Sequence, residues 1–316
     1  MISIIVPVFN EKENISILYE KLVRVMEAGS MPFEILFIND GSVDESEHIL
    51  NGIGQKDTRC KIIHFSRNLG QTSALMAGVD YAKGEIIVPI DADLQNDPED
   101  IPSLLEKLEE GCDVVSGWRK DRKAPSLRRI LLSNIANKLI SLVSGVRLND
   151  YGCTLKAYRS SLIKPVRLYG EMHRFIPIYV SWQGGKVAEI PVKDHPRVHG
   201  KSNYGFDRIF KVLLDLIVIQ FLAKYNTKPI YVFGAFGIFN LGVAILAFFY
   251  AVYLKLFFDV AFISTPLLLL VSLTFIMGAM SILMGLLAEM LVRIYYETQN
   301  KPSYLVKSTV NLDPVP

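Results

Sequence analysis

Acidic side chains crowd the end of an apolar segment in GEIIVPIDADLQNDPED, residues 84–100. The run from Ile86 to Ile90 has the composition of a buried strand, and Asp91 and Asp93 follow it directly. Residues i and i+2 of an extended segment project to the same side, so both carboxylates are expected to reach one point above the strand end. Mg²⁺ or Mn²⁺ binds such oxygens together with water and substrate phosphates. The spacing predicts a divalent-cation site for a nucleotide diphosphate, with a solvated turn as the structural alternative.

Two further polar turns, PVFNEKEN and FINDGSVDES, follow strand-like segments earlier in the chain. Asp40 lies at the end of one segment, where its carboxylate is placed to accept hydrogen bonds from a base or a ribose; an ordinary strand-to-helix loop is the alternative. Asn10 is expected to cap the first helix, with Glu13 as its capping-box partner. The same choice between a structural and a ligand-binding role applies to Glu11.

Two later segments combine charge with glycine. In NDYGCTLKAYR, Asp150 is placed to orient an acceptor or to act as a general base. HGKSNY is not a phosphate-binding P-loop, because that motif needs glycine at the position of His195. Arg197, Lys201 and Ser202 still form a cationic segment able to fold over a phosphate, with a solvated loop as the alternative.

The elements that must position these side chains alternate along the first 120 residues. Short apolar runs rich in β-branched residues predict strands at 2–9, 33–38, 62–65, 86–90 and 114–115. Helix-period segments lie between them; one buries Ile15, Leu18 and Leu22, and another begins at Asp97 and Pro98. This alternation predicts an α/β fold with a mostly parallel sheet, helices on both faces, and ligands at the carboxyl ends of the strands.

Two segments, at about 126–145 and 205–222, have the amphipathic pattern of helices that lie in a membrane interface. The basic stretch WRKDRKAPSLRR leads into the first of them. Burial against the sheet is the alternative interpretation for each segment.

Two longer apolar segments, 229–258 and 265–292, each exceed the roughly 20 residues that cross a bilayer, and the mean hydropathy of the chain is +0.28. Their connection is short, so we expect a transmembrane hairpin with both chain ends on one side. Basic residues flank its outer ends, and the positive-inside rule places the domain 1–225 and the tail 293–316 in the cytoplasm. No signal peptide is evident, and three cysteines without CxxC spacing fit a reducing compartment.

Taken in order, several stretches resemble glycosyltransferase family 2, and within it the polyprenyl-phosphate glycosyltransferases. They are IIVPVFNEKEN, FINDGSVDES, SRNLGQTSALMAG, DADLQNDPE, VVSGWR, DYGCTLKAYR and HGKSNYG. The resemblance implies a GT-A fold and inverting transfer of a hexose, with UDP-glucose as the expected donor and undecaprenyl phosphate as the acceptor. It also implies a multi-pass protein of the cell inner membrane. We expect a homo-oligomer and no nucleic-acid partner.

The resemblance assigns roles residue by residue. The side chains expected to hold the nucleotide sugar are Pro7, Phe9, Glu11, Asp40, Asn68 and Asp91. The expected ligands of Mg²⁺ or Mn²⁺ are Asp91, Asp93 and Gln95. The catalytic candidates are Asp150 and Asp93. The side chains expected to meet the lipid phosphate are Arg119, Arg128, Arg197, Lys201 and Ser202.

The chemistry of the acceptor qualifies the role of Asp150. A phosphate monoester has a second pKa of about 6 and is already largely ionised at neutral pH. We therefore expect Asp150 to orient the acceptor or the sugar hydroxyls rather than to remove a proton. Two alternatives remain open: a noncatalytic sugar-lipid carrier or assembly partner, and a transferase with another acceptor or another sugar, such as mannose, N-acetylglucosamine or an aminoarabinose derivative.

Overall fold

The computed structural model describes residues 1–29, 31–120, 137–138, 140–141, 144–166, 172–196, 230–298 and 304–312. The chain divides into two compact units, one made of Met1–Leu216 and Pro302–Pro316, the other of Ile217–Lys301. The amphipathic segment expected at 205–222 lies outside the described residues, and the one at 126–145 is described only at a few positions near its end.

A mixed sheet forms the centre of the first unit. Its strands are β1 Ile2–Val8, β2 Phe33–Asn39, β3 Cys60–Phe65, β4 Ile86–Pro89, β5 Val114–Trp118, β6 Lys156–Arg159, β7 Val187–Pro191 and β8 Val306–Val310. Within the described residues the order is β7-β5-β6-β4-β1-β2-β3-β8. All strands except β6 and β8 share one direction, which confirms the predicted α/β class with a mostly parallel sheet.

Helices cover both faces of this sheet. They are α1 Lys12–Ala28, α2 Ser46–Lys56, α3 Gln71–Tyr81, α4 Ile101–Glu109, α5 Ser160–Ile163 and α6 Ile176–Trp182. On one face, Ile4 of β1 packs in a core cluster with Ile15 and Leu18 of α1. On the other face, α3 approaches so closely that a Cβ added to Gly78 would lie 2.4 Å from Cγ2 of Ile5. Successive side chains of β1 point to opposite faces of the sheet, so Ile4 packs against one helical layer and Ile5 against the other.

The start of one helix agrees with the sequence and the start of another does not. Asp97 caps the short 3₁₀ turn that leads into α4, and its side chain accepts a backbone N–H at 3.1 Å, as expected. Asn10 makes no cap for α1; it has a φ of 56°, and its side chain accepts the N–H of Val43 at 2.9 Å. The capping box predicted for Asn10 and Glu13 is wrong, because Asn10 joins the loops after β1 and β2 instead.

The last strand of the sheet comes from the C-terminal segment. β8 pairs antiparallel with β3, and the ring of Tyr304 stacks on Phe65 with centroids 5.6 Å apart. The hydroxyl of Tyr304 donates to Asp80 at 3.1 Å, and the side-chain amide of Asn311 donates to backbone carbonyls near α2 and β3. The sequence analysis treated residues 293–316 as a tail and missed this strand, because five residues give too short a pattern.

In the second unit the described residues form two long apolar helices, α7 Ile230–Phe258 and α8 Leu267–Thr298, with a short 3₁₀ turn between them. Segments Val232–Phe258 and Leu267–Ala288 are long and apolar enough to cross a membrane. The helices meet at two glycines: a Cβ on Gly237 would lie 2.8 Å from the carbonyl oxygen of Gly278, and a Cβ on Gly278 would lie 2.9 Å from that of Gly237. This close packing fits the predicted hairpin, in which small residues let the backbones approach.

We expect Tyr304→Ala to lower the unfolding temperature of the full-length protein by several degrees. The substitution removes a ring that is only 8% exposed and leaves a cavity, at a cost of about 3 kcal/mol. Tyr304→Phe keeps the stacked ring and loses one hydrogen bond, which costs about 1 kcal/mol. Thermal unfolding followed by intrinsic fluorescence measures both, with Leu305→Ala at a 64% exposed neighbour as the control. Equal, small shifts for Tyr304→Ala and Leu305→Ala would contradict a docked C-terminal strand.

His64 is a buried histidine in β3 that makes the stability of the first unit depend on pH. Its two ring nitrogens lie 3.0 Å from Asn39 Nδ2 and 3.0 Å from Asn51 Oδ1. Burial lowers the pKa of His64 below its ordinary value of 6.5, the charge of Glu47 opposes this shift, and that of Lys307 adds to it. Because the unfolded chain then binds more protons than the folded one, stability is present above pH 6.5 and is lost as the pH falls below it.

His64→Gln should therefore reduce the pH dependence of unfolding between pH 7.5 and pH 5.5, a slope of at most about 1.4 kcal/mol per pH unit. The measurement is the unfolding temperature at both pH values, relative to that of the wild type. His48→Gln, at an exposed position of α2, is the matched control and should leave the slope unchanged. A His64→Gln protein that keeps the full wild-type slope would show that another group is responsible.

Candidate active site

The acidic turn, residues 91–95, begins just beyond β4. The ladder between β1 and β4 ends at Pro89, and within the turn Leu94 has a φ of 61° although it is buried. Packing must hold this uncommon backbone conformation in place. The N–H of Gln95 donates to Asp93 Oδ1 at 3.1 Å. The expectation that the chain stays extended from Asp91 to Asp93, beyond the strand, is wrong, because these residues lie in a turn.

Side chains that the sequence analysis did not select hold Asp91. Gln71 Nε2, at the start of α3, donates to Asp91 Oδ1 at 2.6 Å, and Thr154 Oγ1, just before β6, donates to Asp91 Oδ2 at 2.7 Å. Burial, together with the charge of Asp93, raises the pKa of Asp91 to about 6. A cation between the two carboxylates would favour the ionised form again.

The oxygens of the acidic turn fit a divalent cation that completes its shell with a phosphate. Asp91 and Asp93 offer carboxylates and Gln95 an amide oxygen. Two carboxylates with water and substrate oxygens are the usual arrangement for Mg²⁺, which is seldom held by a complete protein cage. The described residues contain no group of three or more His, Cys, Asp or Glu side chains able to hold a metal ion. The charge of Asp93 helps to raise the pKa of Asp91, and this repulsion favours a cation between the two carboxylates.

Asp40 joins the loops that follow β2 and β3. Its carboxylate accepts the N–H groups of Leu69 at 2.7 Å and Gly70 at 2.9 Å. Burial raises the pKa of Asp40, and these two hydrogen bonds oppose that shift. Next to it, Gly41 has a φ of 66°, and a Cβ there would lie 2.4 Å from the carbonyl carbon of Arg67. Asp40 therefore has a structural role in this loop, and its contact with a base or ribose stays a prediction.

The other nucleotide candidates lie near the carboxyl ends of β1 and β3. Pro7 lines a pocket, and Phe9, just past β1, is 41% exposed. Glu11 accepts a hydrogen bond from Asn14 Nδ2 at 2.6 Å, and Asn68 is exposed in the loop before α3. Because parallel strands end at one edge of a sheet, these side chains share the edge that carries the acidic turn.

Asp150 and Arg119 form a buried ion pair. Arg119 Nε donates to Asp150 Oδ2 at 2.8 Å, and Nη2 donates to Oδ1 at 3.1 Å. The N–H of Gly152 also donates to Oδ1, at 3.0 Å. Burial acts to lower the pKa of Arg119, but the charge and hydrogen bonds of Asp150 raise it above its ordinary value. An arginine pair favours the ionised carboxylate and makes it a poorer proton acceptor.

Neighbouring parallel strands position this ion pair. Arg119 directly follows β5, and Glu189 lies on β7, its parallel partner. Glu189 Oε1 accepts the N–H of Asp150 at 3.0 Å, and Oε2 accepts Nδ2 of Asn149 at 2.7 Å. The sequence analysis gave Arg119 and Asp150 separate roles, whereas the structure joins them in one unit.

A small pocket beside Asp91 contains residues to which the sequence analysis assigned no role. The residues that line it include Gln71, Gly152, Thr154, Lys156, His173 and Arg174. Lys156 Nζ donates to the carbonyl oxygens of Tyr151 and Cys153, and burial lowers the pKa of Lys156. His173 Nδ1 lies 2.8 Å from Thr72 Oγ1, and burial lowers the pKa of His173 to about 3, so it is neutral at physiological pH.

Several predicted acceptor-binding residues lie outside the described part of the chain. They are Arg128, Arg197, Lys201 and Ser202. Their contact with a lipid phosphate stays a prediction. The interfacial position of the segments 126–145 and 205–222 also stays a prediction.

The chain matches characterised proteins over nearly its whole length. The model of glycosyl transferase family 2 matches residues 3–167. The dodecaprenyl-phosphate galacturonate synthase of Rhizobium johnstonii is 38% identical over 312 residues, which cover 97% of this chain and 92% of that protein. The undecaprenyl-phosphate 4-deoxy-4-formamido-L-arabinose transferase of Edwardsiella ictaluri is 36% identical over 314 residues, 98% of this chain and 94% of that protein.

The fold also has a counterpart among solved structures. Glucosyl-3-phosphoglycerate synthase from Mycobacterium tuberculosis superimposes with a TM-score of 0.55 at 16% identity, over 71% of this chain and 79% of that one. At this identity the similarity concerns the fold alone, and it agrees with the GT-A architecture expected from the sequence. The chain therefore belongs to glycosyl transferase family 2 and is a glycosyltransferase.

Proposed function

We propose that this glycosyltransferase moves a sugar from a nucleoside diphosphate donor to the phosphate of a polyprenyl lipid. One observation carries the proposal: the segment Gly152–Thr154 joins the acidic turn to the Asp150–Arg119 pair. Thr154 donates to Asp91 at 2.7 Å, and a Cβ added to Gly152 would lie 3.3 Å from Nη2 of Arg119. The carboxylates of the turn suit a cation that binds a diphosphate, and the guanidinium of Arg119 suits an ionised acceptor. The relatives named above act on dodecaprenyl and undecaprenyl phosphate, which supports the same acceptor class.

The transferred sugar is proposed to be galacturonate or 4-deoxy-4-formamido-L-arabinose, after those relatives. The glucose expected from the sequence is not named in either of them. UDP is the proposed nucleotide. The described residues that could select the sugar lie in the pocket beside Asp91.

Mg²⁺ or Mn²⁺ is the proposed cofactor, held by Asp91, Asp93 and Gln95. When bound, the cation neutralises the charge that develops on the departing nucleoside diphosphate. Gln71 and Thr154 fix the orientation of the Asp91 carboxylate. The solved Mycobacterium tuberculosis enzyme contains Mn²⁺ together with UDP, which supports this class of cofactor.

The ion pair is proposed to position the acceptor. A phosphate monoester is already mostly ionised at neutral pH, so its oxygen needs alignment more than deprotonation. Asp150 keeps the guanidinium of Arg119 in a fixed orientation through two hydrogen bonds. Arg119 then holds the phosphate in line with the anomeric carbon, assisted by Arg128, Arg197, Lys201 and Ser202. A single displacement of this kind inverts the anomeric centre.

The apolar helices α7 and α8 are proposed to anchor the enzyme where its lipid substrate lies. Their length and composition fit a two-helix span, and basic residues flank its outer ends. We infer a multi-pass protein of the cell inner membrane, with the catalytic unit and both termini in the cytoplasm. We also propose that the protein is a homo-oligomer.

A noncatalytic carrier does not account for the acidic turn. Two carboxylates held close together repel each other and destabilise a fold unless a cation or a proton offsets their charge. Such a pair has no use in a protein that only carries a sugar-lipid. The geometry of the acidic turn therefore favours the enzyme.

Metal-dependent labelling of lipid tests the proposed reaction. Full-length protein in detergent, with Mn²⁺, undecaprenyl phosphate and a panel of labelled UDP-sugars, should place label in the organic phase. Asp93→Asn should lower the rate on the order of 100-fold or more, because one metal-binding carboxylate is lost. Asp259→Asn, at an exposed position between α7 and α8, is the matched control and should retain wild-type activity. No lipid label with any donor, from protein that binds UDP, would contradict the proposal.

Asp150→Asn separates positioning from proton removal. We expect a loss of about 100-fold that is constant between pH 6.5 and pH 9, because the variant no longer holds Arg119 through two charged hydrogen bonds. The KM for undecaprenyl phosphate should rise, since the phosphate site is less ordered. The measurement is the pH profile of kcat/KM for both proteins. A loss that disappears at high pH would instead indicate that Asp150 acts as a base.

A further inference from the structure

Two basic residues, Lys156 and Arg174, line the pocket beside Asp91, and none of its described lining residues is acidic. Among the described residues, Nε of Arg174 is buried and has no hydrogen-bond partner. Lys156, which is 3% exposed, donates to two backbone carbonyls and makes no ion pair within the described part of the chain. Buried polar groups are nearly always paired, so the unpaired Nε is available to a hydrogen-bond acceptor that enters the pocket, and the positive charge of the guanidinium favours an anionic one.

Arg174 also lies close to the groups proposed for catalysis. A Cβ added to Gly152 would lie 3.3 Å from Arg119 Nη2 and 3.6 Å from Arg174 Nη1. Gly152 therefore lies between the two guanidinium groups, and a side chain there would narrow the gap. Thr154 lines the same pocket and donates to Asp91. The segment Gly152–Thr154, which lines the pocket, thus connects the acidic turn with the Asp150–Arg119 pair.

The position of the pocket restricts which anion it receives. In the proposed reaction the diphosphate is held by the cation at the acidic turn, and the acceptor phosphate by Arg119. The sugar is attached to the diphosphate, so it must occupy the space between these two groups. The pocket with Arg174 and Lys156 borders that space.

We propose that Arg174 binds a carboxylate on the donor sugar and selects a hexuronic acid over a neutral sugar. This inference rests on the proposed function. The planar guanidinium matches a carboxylate through two parallel hydrogen bonds, which a hydroxymethyl group cannot replace. A neutral sugar would leave the buried Nε without a partner, and a site with unpaired polar groups rejects such a substrate strongly. Lys156 adds positive charge, and the neutral His173 hydrogen-bonds Thr72 at the pocket wall.

The test compares two donors that differ only at C6, UDP-galacturonate and UDP-galactose, with undecaprenyl phosphate as acceptor. Wild-type protein should favour UDP-galacturonate at least 100-fold in kcat/KM. Arg174→Gln should lower kcat/KM for UDP-galacturonate at least tenfold and leave that for UDP-galactose within about twofold. Arg174→Lys should give an intermediate loss, because it keeps the charge without the planar fork. Arg24→Gln, whose side chain is 70% exposed on α1, is the matched control.

Three outcomes would overturn the inference. Equal losses with both donors, or weaker binding of UDP alone, would assign Arg174 to the diphosphate. A raised KM for undecaprenyl phosphate with both donors would assign it to the acceptor. A wild-type preference for UDP-galactose or UDP-4-deoxy-4-formamido-L-arabinose overturns it without any variant, so the test holds even if Arg174→Gln fails to fold. Absence of lipid label with every donor would instead contradict the proposed function.

Discussion

Two carboxylates, Asp91 and Asp93, lie in one turn at the end of β4, where burial makes their mutual repulsion costly. Much of the first unit serves to keep them there. Buried strands fix where the turn begins, Leu94 is packed in an uncommon conformation, and Gln71 and Thr154 reach Asp91 from two other segments. These contacts hold Asp91 close to Asp93, and the proposed cation would offset the repulsion between the two carboxylates. The proposed binding of a metal and a diphosphate depends on this closeness of Asp91 and Asp93.

Positively and negatively charged side chains lie at fixed positions around the acidic turn. Arg119 is fixed by Asp150, and its charge favours the ionised form of Asp91, so the groups proposed to bind the acceptor and the donor are electrostatically linked. On the loop side, Asp40 holds the backbone of the β3–α3 connection at Leu69 and Gly70, which shapes the edge expected to receive the nucleotide. A rigid sheet edge with positive and negative groups at set positions can align two anionic substrates.

Local patterns predicted the elements, and long-range contacts explain what they missed. The strands β1 to β5 and the cap at Asp97 follow from short segments whose periodicity is visible in the sequence. Thr154 and Asp91 are 63 residues apart, and no local signal connects them. Arg119 and Asp150, 31 residues apart, were both selected, but only the geometry shows that they pair. β8 was missed because a five-residue strand depends on docking against β3, and Arg174 because an arginine in MHRF has no distinguishing spacing.

The most direct test of the account is the position of the metal when nucleotide is bound. Crystals of the full-length protein grown with Mn²⁺ and UDP, measured at the manganese absorption edge, would locate it by anomalous scattering. We expect one anomalous peak within coordination distance of Asp91 or Asp93 and of both UDP phosphates. The peak should lie about 2.0–2.2 Å from the ligand oxygens. A complex in which UDP is bound at this sheet edge with no peak there, or with Mn²⁺ elsewhere, would contradict it.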